Sequence, residues 1–599
     1  MRRRLFFSAL VAALVSAFVA SARAEIADGR LFLWVELIGF DNAADDYGVG
    51  AYLDRMTRKP DMVSLLLDND RLFMFYRGFD ATAKLLPDNC AYGGRPYNVE
   101  RRRQDWTEGQ LKGLVAELQK HGIEVFASFF HWYPEVMPKS DADAERVATQ
   151  LVKFLADFGF NGFHGSDGYA PPRFLLPECP DGERAKVARA RAERYAANWR
   201  TFVTALKAKG LKSWINTCWT LDPFEALYRY GVDYRLLAKT GIDGFIVESS
   251  ATSLQVQGCT SPGFSPLDKS AAMLLRLKAA VPDVPMVLLH AINDGNEQWS
   301  ALRHAPAMTK SEAIALGTLF YGKRRILDGF LACLADGITR EEWKELEKGW
   351  RLPFLDVKEP LGTRIVWSDR AFDREFEDCV VSHDASSFTL LRNLLAHRAP
   401  VCTIVSVEEA LADKSYPIVL LNPEFFPPEE LAALRDRRVR VFELGRGARA
   451  RCEVKYVPRA DDSPFPGMPS NDTCYFTKPL SENLPADDFF RHEAEAIMEL
   501  MPFLVGGYGF SASKMHCWGL QLANGRTAVF VRNDDDVYGN ALVRVQKCIS
   551  DVLVHSDFPS KPVQTCLSGC VAPHDTMVIS FGDHEWPLPD PNVDCGKMK

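Results

Sequence analysis

Between residues 30 and 350 the chain repeats one pattern eight times: a short apolar run, then a longer stretch with helical spacing. The apolar runs fall at 31–38, 62–67, 123–130, 160–164, 212–218, 242–247, 285–290 and 326–334. Helical stretches lie between most of them, at 108–121, 142–158, 183–209, 234–240, 267–280 and 310–321. In the first of these, Leu111, Leu114, Val115 and Leu118 follow the i, i+3, i+4, i+7 rule of an amphipathic helix. Eight β/α units over this length predict a (β/α)8 barrel. An open doubly wound sheet would be expected to carry a glycine-rich phosphate turn. The chain offers only the fragment Gly445-Arg-Gly447, without a third glycine.

After the barrel the rhythm changes. Strand-like runs at 364–367, 401–405, 416–422 and 438–444 alternate with helices at 386–396 and 428–436, which predicts a small α/β module. A Pro-, Asp- and Ser-rich stretch follows at 456–478, then a helix at 487–501. Short strands at 528–532, 541–545, 552–555 and 577–581, separated by turns, predict a β-sandwich. The expected organisation is therefore a leader at 1–24, the barrel at 25–355, the α/β module at 356–460, and a linker, helix and sandwich at 461–599.

The leader is read from Arg2, Arg3 and Arg4, the apolar run 5–20, and Ala22-Arg23-Ala24. This is the charge, core and small-residue pattern of a cleavable signal peptide. The run is short for a membrane span, and no later segment is apolar enough, so no stable membrane insertion is expected after cleavage after Ala24. The expected location is secreted or periplasmic. Removing the four arginines takes the formal charge from −8 to −12. An acidic chain of this kind lacks the basic face that nucleic acids require. The 14 cysteines would meet an oxidising compartment, so at least two disulfides are expected. Cys517, Cys548, Cys566, Cys570 and Cys595 are the leading candidates.

In a (β/α)8 barrel the reacting groups stand at the C-terminal ends of the strands. The residues just past the apolar runs are unusually polar: Glu36, Asp41, Asp68, Asp70, His131, Glu135, His164, Asp167, Asn216, Asp222, Glu248, His290, Asn293 and Asp294. Trp34, Trp132, Trp219 and Trp299 lie at the same edge. Carboxylates beside indoles suit a sugar, whose apolar face stacks on an aromatic ring while its hydroxyls need polar partners. Two segments concentrate the signal. Gly159-Phe-Asn-Gly-Phe-His-Gly-Ser-Asp-Gly-Tyr169 breaks into glycines around His164 and Asp167, which lets a ligand approach the backbone. Gly244-Phe-Ile-Val-Glu-Ser-Ser250 places Glu248 after four strand residues, where burial suits a general acid. Carboxyls on strands four and six separated by roughly 5–5.5 Å would support a retaining double displacement.

The order of barrel, α/β module and sandwich resembles family 42 β-galactosidases. The segment Tyr416-Pro-Ile-Val-Leu-Leu-Asn-Pro423 looks like their amidotransferase-like middle domain, and Ala528-Val-Phe-Val-Arg-Asn-Asp534 like their C-terminal sandwich. The resemblance implies a glycoside hydrolase acting on oligo- or polysaccharides, and association of copies through the middle module. The strand-four segment is similar to the Gly-Phe-Asp-Gly-Phe/Trp-His-x-Asp pattern of dextranase-like and α-amylase-like retaining enzymes, with Ser166 at the matching acidic position and Asp167 next. It implies Asp167 as nucleophile and Glu248 as acid/base. Glu36, His131, Trp132, His164, Asn216, Trp219, His290 and Asp294 would then contact substrate.

Other chemistries have less support. No Gly-x-Ser-x-Gly elbow and no His-Glu-x-x-His occurs. A metal-dependent hydrolase could gather His131, His164, His290 and Asp294 around one ion, although no spacing demands it, and no metal or cofactor is expected. A barrel that binds carbohydrate without cleaving it is the remaining alternative. For the leader, Edman sequencing of exported protein should begin at Glu25. Recovery of residues 5–20 in the membrane fraction would contradict the assignment.

Overall fold

The computed structural model describes residues 29–42, 47–91, 104–130, 140–166, 181–217, 222–249, 252, 265–292, 301–379, 386–445, 488–501, 503–508, 515–545, 551–555, 561–563 and 566–582. Eight parallel strands close into a barrel: β1 (Arg30–Glu36), β2 (Met62–Asn69), β3 (Glu124–Phe130), β4 (Gly162–Gly165), β5 (Lys212–Asn216), β6 (Gly244–Ser249), β7 (Met286–His290) and β8 (Gly329–Ala332). β8 pairs with β1 to close the ring, Arg30 opposite Gly329. This is the TIM-barrel fold expected from the eight-fold pattern.

Alternation along each strand sorts residues into two layers. Phe32, Trp34, Met62, Leu66, Phe126, Phe130, Trp214, Ile246, Val287, Leu289 and Leu331 fill the barrel. Leu31, Leu33, Val35, Val63, Leu65, Phe245, Val247, Met286 and Leu288 face the surrounding helices. The interior is too narrow for bulk from every strand. β1, β3 and β5 supply Phe32, Phe126 and Trp214, with Phe32 and Trp214 edge-to-face at 5.0 Å. Opposite them β4 and β6 supply glycine. A Cβ on Gly162 would overlap the Phe126 ring, and one on Gly244 the Trp214 ring.

The outer helices are set by local chemistry. The helix Glu108–Lys120 starts with a capping box between Thr107 and Gln110. The helix Asp141–Phe158 starts on Ser140, whose side chain accepts from Asp143 N, and stops at Gly159 in the left-handed region (φ 82°). Its apolar stripe, including Leu151, Phe154, Leu155 and Phe158, is buried toward the barrel.

The second sheet has six strands in the order Val441–Leu444, Ile418–Leu421, Arg364–Trp367, Thr403–Ser406, Phe320–Tyr321 and Arg324–Arg325. The last two form a hairpin inserted between the helix Pro306–Gly317 and β8, so the barrel segment donates an edge to the α/β module. The boundary expected at 355/356 is therefore interleaved. Val357–Pro360 does not belong to the module either: it pairs with Met515–Leu522. That pairing opens a five-stranded sheet which, with a four-stranded one, makes the expected β-sandwich. Its core holds Phe503, Met515, Cys517, Val529, Val531, Val543 and Ile579.

Two of the candidate disulfide cysteines are found as thiols. Among the described residues there is no disulfide, and Cys517 and Cys570 carry free thiols. Cys517 points into the apolar sandwich core, 3.8 Å from Met498 Sδ, and burial pushes its thiol up to about 12. Cys548, Cys595 and the side chain of Cys566 lie outside the described residues. No helix among the described residues is long and apolar enough to cross a membrane, and the run 5–20 lies outside them.

The glycine layer yields a stability test. Gly244→Ala should destabilise by about 1–3 kcal/mol, because the barrel must shift to admit the methyl group. Gly50→Ala, whose Cβ meets nothing within 4 Å, should be neutral or better. Thermal melting of both variants beside the parent protein checks the contrast.

Candidate active site at the barrel mouth

The inward phase of each strand determines what the C-terminal mouth offers. Above the aromatic layer it presents Ser64 on β2, Ser128 on β3, His164 on β4 with Ser166 just after it, Asn216 on β5, Glu248 on β6 and Glu36 on β1. Four of these form a chain. Ser64 Oγ lies 2.7 Å from His164 Nδ1, His164 Nε2 lies 2.7 Å from Asn216 Oδ1, and Asn216 Nδ2 donates to Ser166 Oγ at 3.4 Å. One proton arrangement satisfies all three contacts: the Ser64 hydroxyl donates to Nδ1, and Nε2–H donates to Asn216. His164 is wholly buried, and desolvation pushes its pKa down to about 4, so it is a neutral imidazole.

Trp34 packs between Phe130 and His164, with ring centres 5.5 and 5.1 Å away. Its Nε1 and Ser128 Oγ are buried and make no hydrogen bond among the described residues. Each such group costs about 1–3 kcal/mol until a hydroxyl or water reaches it. The floor of the mouth is thus aromatic with unmet polar groups.

The rim carries the acids. Glu248 stands at the end of β6, partly exposed, with its backbone N–H donating to Thr217 Oγ1 at 3.1 Å. Glu36 stands at the end of β1, fully buried, in register with Leu66. Its backbone N–H donates to Asp336 Oδ1 at 2.7 Å, which ties β1 to the segment after β8 across the closure.

Two expected substrate contacts are corrected. His164 has both ring nitrogens engaged within the barrel. His290 shares the outward phase of Met286 and Leu288 and faces the helices. It accepts from Trp350 Nε1 at 2.9 Å on Nδ1, and its Nε2 lies 3.3 Å from Glu312 Oε2. His164 has no nitrogen left for a sugar, and His290 faces away from the mouth. Asn216 joins this network through Oδ1 and one N–H of its amide, and its second N–H is not used by it. Asp222 is no mouth acid: it caps the helix Pro223–Tyr230 through Glu225 N and accepts from Arg276 Nε at 2.8 Å. Asp167, His131, Trp132, Trp219 and Asp294 lie outside the described residues.

No protein-family model and no curated protein matches the sequence. Solved structures do. One is a catalytic mutant of Gan42B, a GH42 β-galactosidase from G. stearothermophilus, at 10% identity over 93% of this chain and 98% of that one, with a TM-score of 0.51. Another is a β-galactosidase from Bacillus circulans sp. alkalophilus, at 11% identity over 93% and 100%, with a TM-score of 0.54. The chain shares their fold.

Within this fold, sequence reasoning missed Glu312, Trp350 and Thr252. Burial alone would raise the Glu312 carboxyl, but His290 and the hydrogen bonds from Thr252 outweigh it and hold it below the usual carboxylate range. Through Thr252 N at 3.1 Å, Glu312 holds part of the segment that follows Glu248. The outward parity of His290 was readable from Met286 and Leu288; its partners, distant in sequence, were not.

The same parity bears on metals. His164 faces inward and His290 outward, so the two cannot converge on one ion. Asp268, His516 and Asp534 lie close enough to share a cation, but Arg532 Nη2 already bonds both carboxylates, at 2.8 and 2.7 Å.

His164 should leave a mark on stability against pH. The unfolded histidine takes up a proton near pH 6.5 and the folded one only near 4, so the unfolded state binds more protons between them. Stability should therefore be constant above about pH 6.5 and fall by roughly 3 kcal/mol on acidification toward pH 4. His164→Gln should lose that component. Melting curves of both proteins across this range, compared by difference, make the measurement.

Proposed function

We propose that the chain is an exported glycoside hydrolase that cleaves oligo- or polysaccharides at the barrel mouth with retention. Glu248 is the general acid/base and Asp167 the nucleophile. The observation that carries this reading is Glu248 itself: an inward carboxylate at the C-terminal end of β6, partly exposed above an aromatic floor with unmet hydrogen-bonding groups. The shared fold with two β-galactosidases supports a carbohydrate substrate.

In this mechanism Asp167 attacks the anomeric carbon while Glu248 gives its proton to the departing oxygen. Glu248 then takes a proton from water, which attacks the glycosyl-enzyme ester and frees Asp167. The floor around Trp34 offers an apolar face for the ring and donors for its hydroxyls.

A second assignment of the carboxylate pair has an observation in its favour. Glu36 points inward, is fully buried and is anchored across the barrel closure. It competes with Asp167 for the nucleophile's role.

Aryl glycosides of graded leaving-group acidity decide among these. Glu248→Gln should reduce turnover by about 10²–10⁴ on poor leaving groups and far less on dinitrophenyl glycosides. Asp167→Asn should abolish turnover, and azide added to Asp167→Gly should return a glycosyl azide of inverted configuration. If Glu36→Gly shows that rescue instead, Glu36 is the nucleophile. If the parent cleaves no glycoside, the enzyme reading falls and the carbohydrate-binding reading replaces it.

A further inference from the structure

The chain that leaves β6 behind Glu248 is fastened at Thr252, four residues on. Thr252 is 2% exposed, and donates its N–H to Glu312 Oε2 at 3.1 Å and its hydroxyl to Met308 O at 3.3 Å. Met308 and Glu312 lie one turn apart on the helix Pro306–Gly317, so a single turn supplies both acceptors. On the other flank, the Glu248 N–H is held by Thr217 Oγ1, just past β5. The backbone that carries Glu248 is thus gripped from both sides.

Glu312 is itself held from behind. Its Oε2 lies 3.3 Å from His290 Nε2. Trp350 Nε1 donates to His290 Nδ1 at 2.9 Å, which leaves the proton of a neutral ring on Nε2, beside the carboxylate. Trp350 in turn stacks on Phe330 of β8, with ring centres 5.3 Å apart. In the sheet, His290 stands in register with Ser249, the residue after Glu248. One line of contacts therefore runs from the helix Arg340–Arg351 through β7 to the chain behind the β6 acid.

Stability does not account for this carboxylate. Burial opposes its charge, and His290 and Thr252 are needed to outweigh that. Apolar side chains in place of a buried charged cluster are often neutral or stabilising. What the cluster supplies is fixed geometry, and a catalytic carboxyl needs a supporting shell that holds it to within about 0.5 Å. We propose that Glu312 is a positioning residue, which places the general acid Glu248 by clamping, through Thr252, the chain that leaves β6. The proposal rests on the glycosidase reading, and holds with either candidate nucleophile.

Phenyl, nitrophenyl and dinitrophenyl galactosides, glucosides and xylosides would be assayed with full-length protein. Proton donation matters most for phenol as leaving group and least for dinitrophenol. Glu312→Ala should lower kcat/KM on the phenyl glycoside by roughly tenfold to a hundredfold, and on the dinitrophenyl glycoside far less. Glu312→Gln, which keeps an acceptor for the Thr252 N–H, should retain most of the parent rate. On the nitrophenyl glycoside, adding Glu312→Ala to Glu248→Gln should cost nothing further, because no acid remains to be misplaced. If circular dichroism shows Glu312→Ala unfolded, Glu312→Asp, which withdraws the carboxylate by one methylene group, takes its place. An equal loss on all three leaving groups, a full loss in the Glu248→Gln background, or no loss at all overturns the proposal and leaves the glycosidase reading intact. If the parent protein cleaves none of these glycosides, the reading and the proposal fall together.

Discussion

A strand in a closed barrel has two places for a side chain, inside or outside, and closure leaves no third. Eight parallel strands meeting edge to edge impose this on every residue of β1 to β8. The inside is filled from below by Phe32, Phe126 and Trp214, which fit only because Gly162 and Gly244 stand opposite. That packed layer lifts the floor. What remains above it is a shallow ring of Ser64, Ser128, His164, Asn216, Glu36 and Glu248. The buried Ser64–His164–Asn216–Ser166 chain stiffens one side of this ring without ionic charge, since its histidine is neutral. Among the described residues the acids of this ring are Glu36, fully buried, and Glu248, partly exposed.

The outer modules are attached through charges buried with their partners. Arg276 links the helix Pro266–Ala280 to Asp222, at the start of the helix after β5, and lies 5.1 Å over the Trp367 ring of the α/β module. Arg532 of the sandwich bonds Asp268 at the start of that same helix, while Lys310 on the next helix pairs with Asp575. Both modules thus converge on one barrel helix. Removing one partner of such a pair strands a buried charge and costs about 3–5 kcal/mol, which makes these contacts poor sites for drift in geometry. The interleaved strands Phe320–Tyr321 and Val357–Pro360 add backbone pairing across the same boundaries.

Periodicity made most of this legible. The eighth strand, expected somewhere in 326–334, is Gly329–Ala332, and the sandwich strands at 528–532 and 577–581 are there within two residues. The failures share a cause. A two-residue strand such as Phe320–Tyr321 is too short to show a period of two, and it read as the end of a helix. Lys561–Val563 and Cys566–Val571 lack the apolar runs that mark buried strands. For the site, proximity to a strand end was taken as pointing into the mouth. His290 shows why that is insufficient: one residue of phase turns a ligand-facing histidine into one packed against Trp350. Cys517 is a thiol for a similar reason, since it lies on the core face of its strand, with methionine and aliphatic neighbours.

Phase also sets the condition that the nucleophile must meet. Ser166 keeps the inward phase of His164, as its bond to Asn216 shows. A strand continued by one more residue would turn position 167 outward, toward the helices, where a carboxylate could not reach a sugar. For Asp167 to act, the chain must leave the extended conformation immediately after Ser166. The flanking Gly165 and Gly168 are the residues that permit such a turn without steric cost. Glu36 faces no such requirement, because β1 runs inward at Phe32, Trp34 and Glu36 in unbroken alternation. The choice between the two carboxylates therefore reduces to a backbone question at one position: a turn after Ser166 favours Asp167, and a continued strand leaves Glu36 as the acid that can face Glu248.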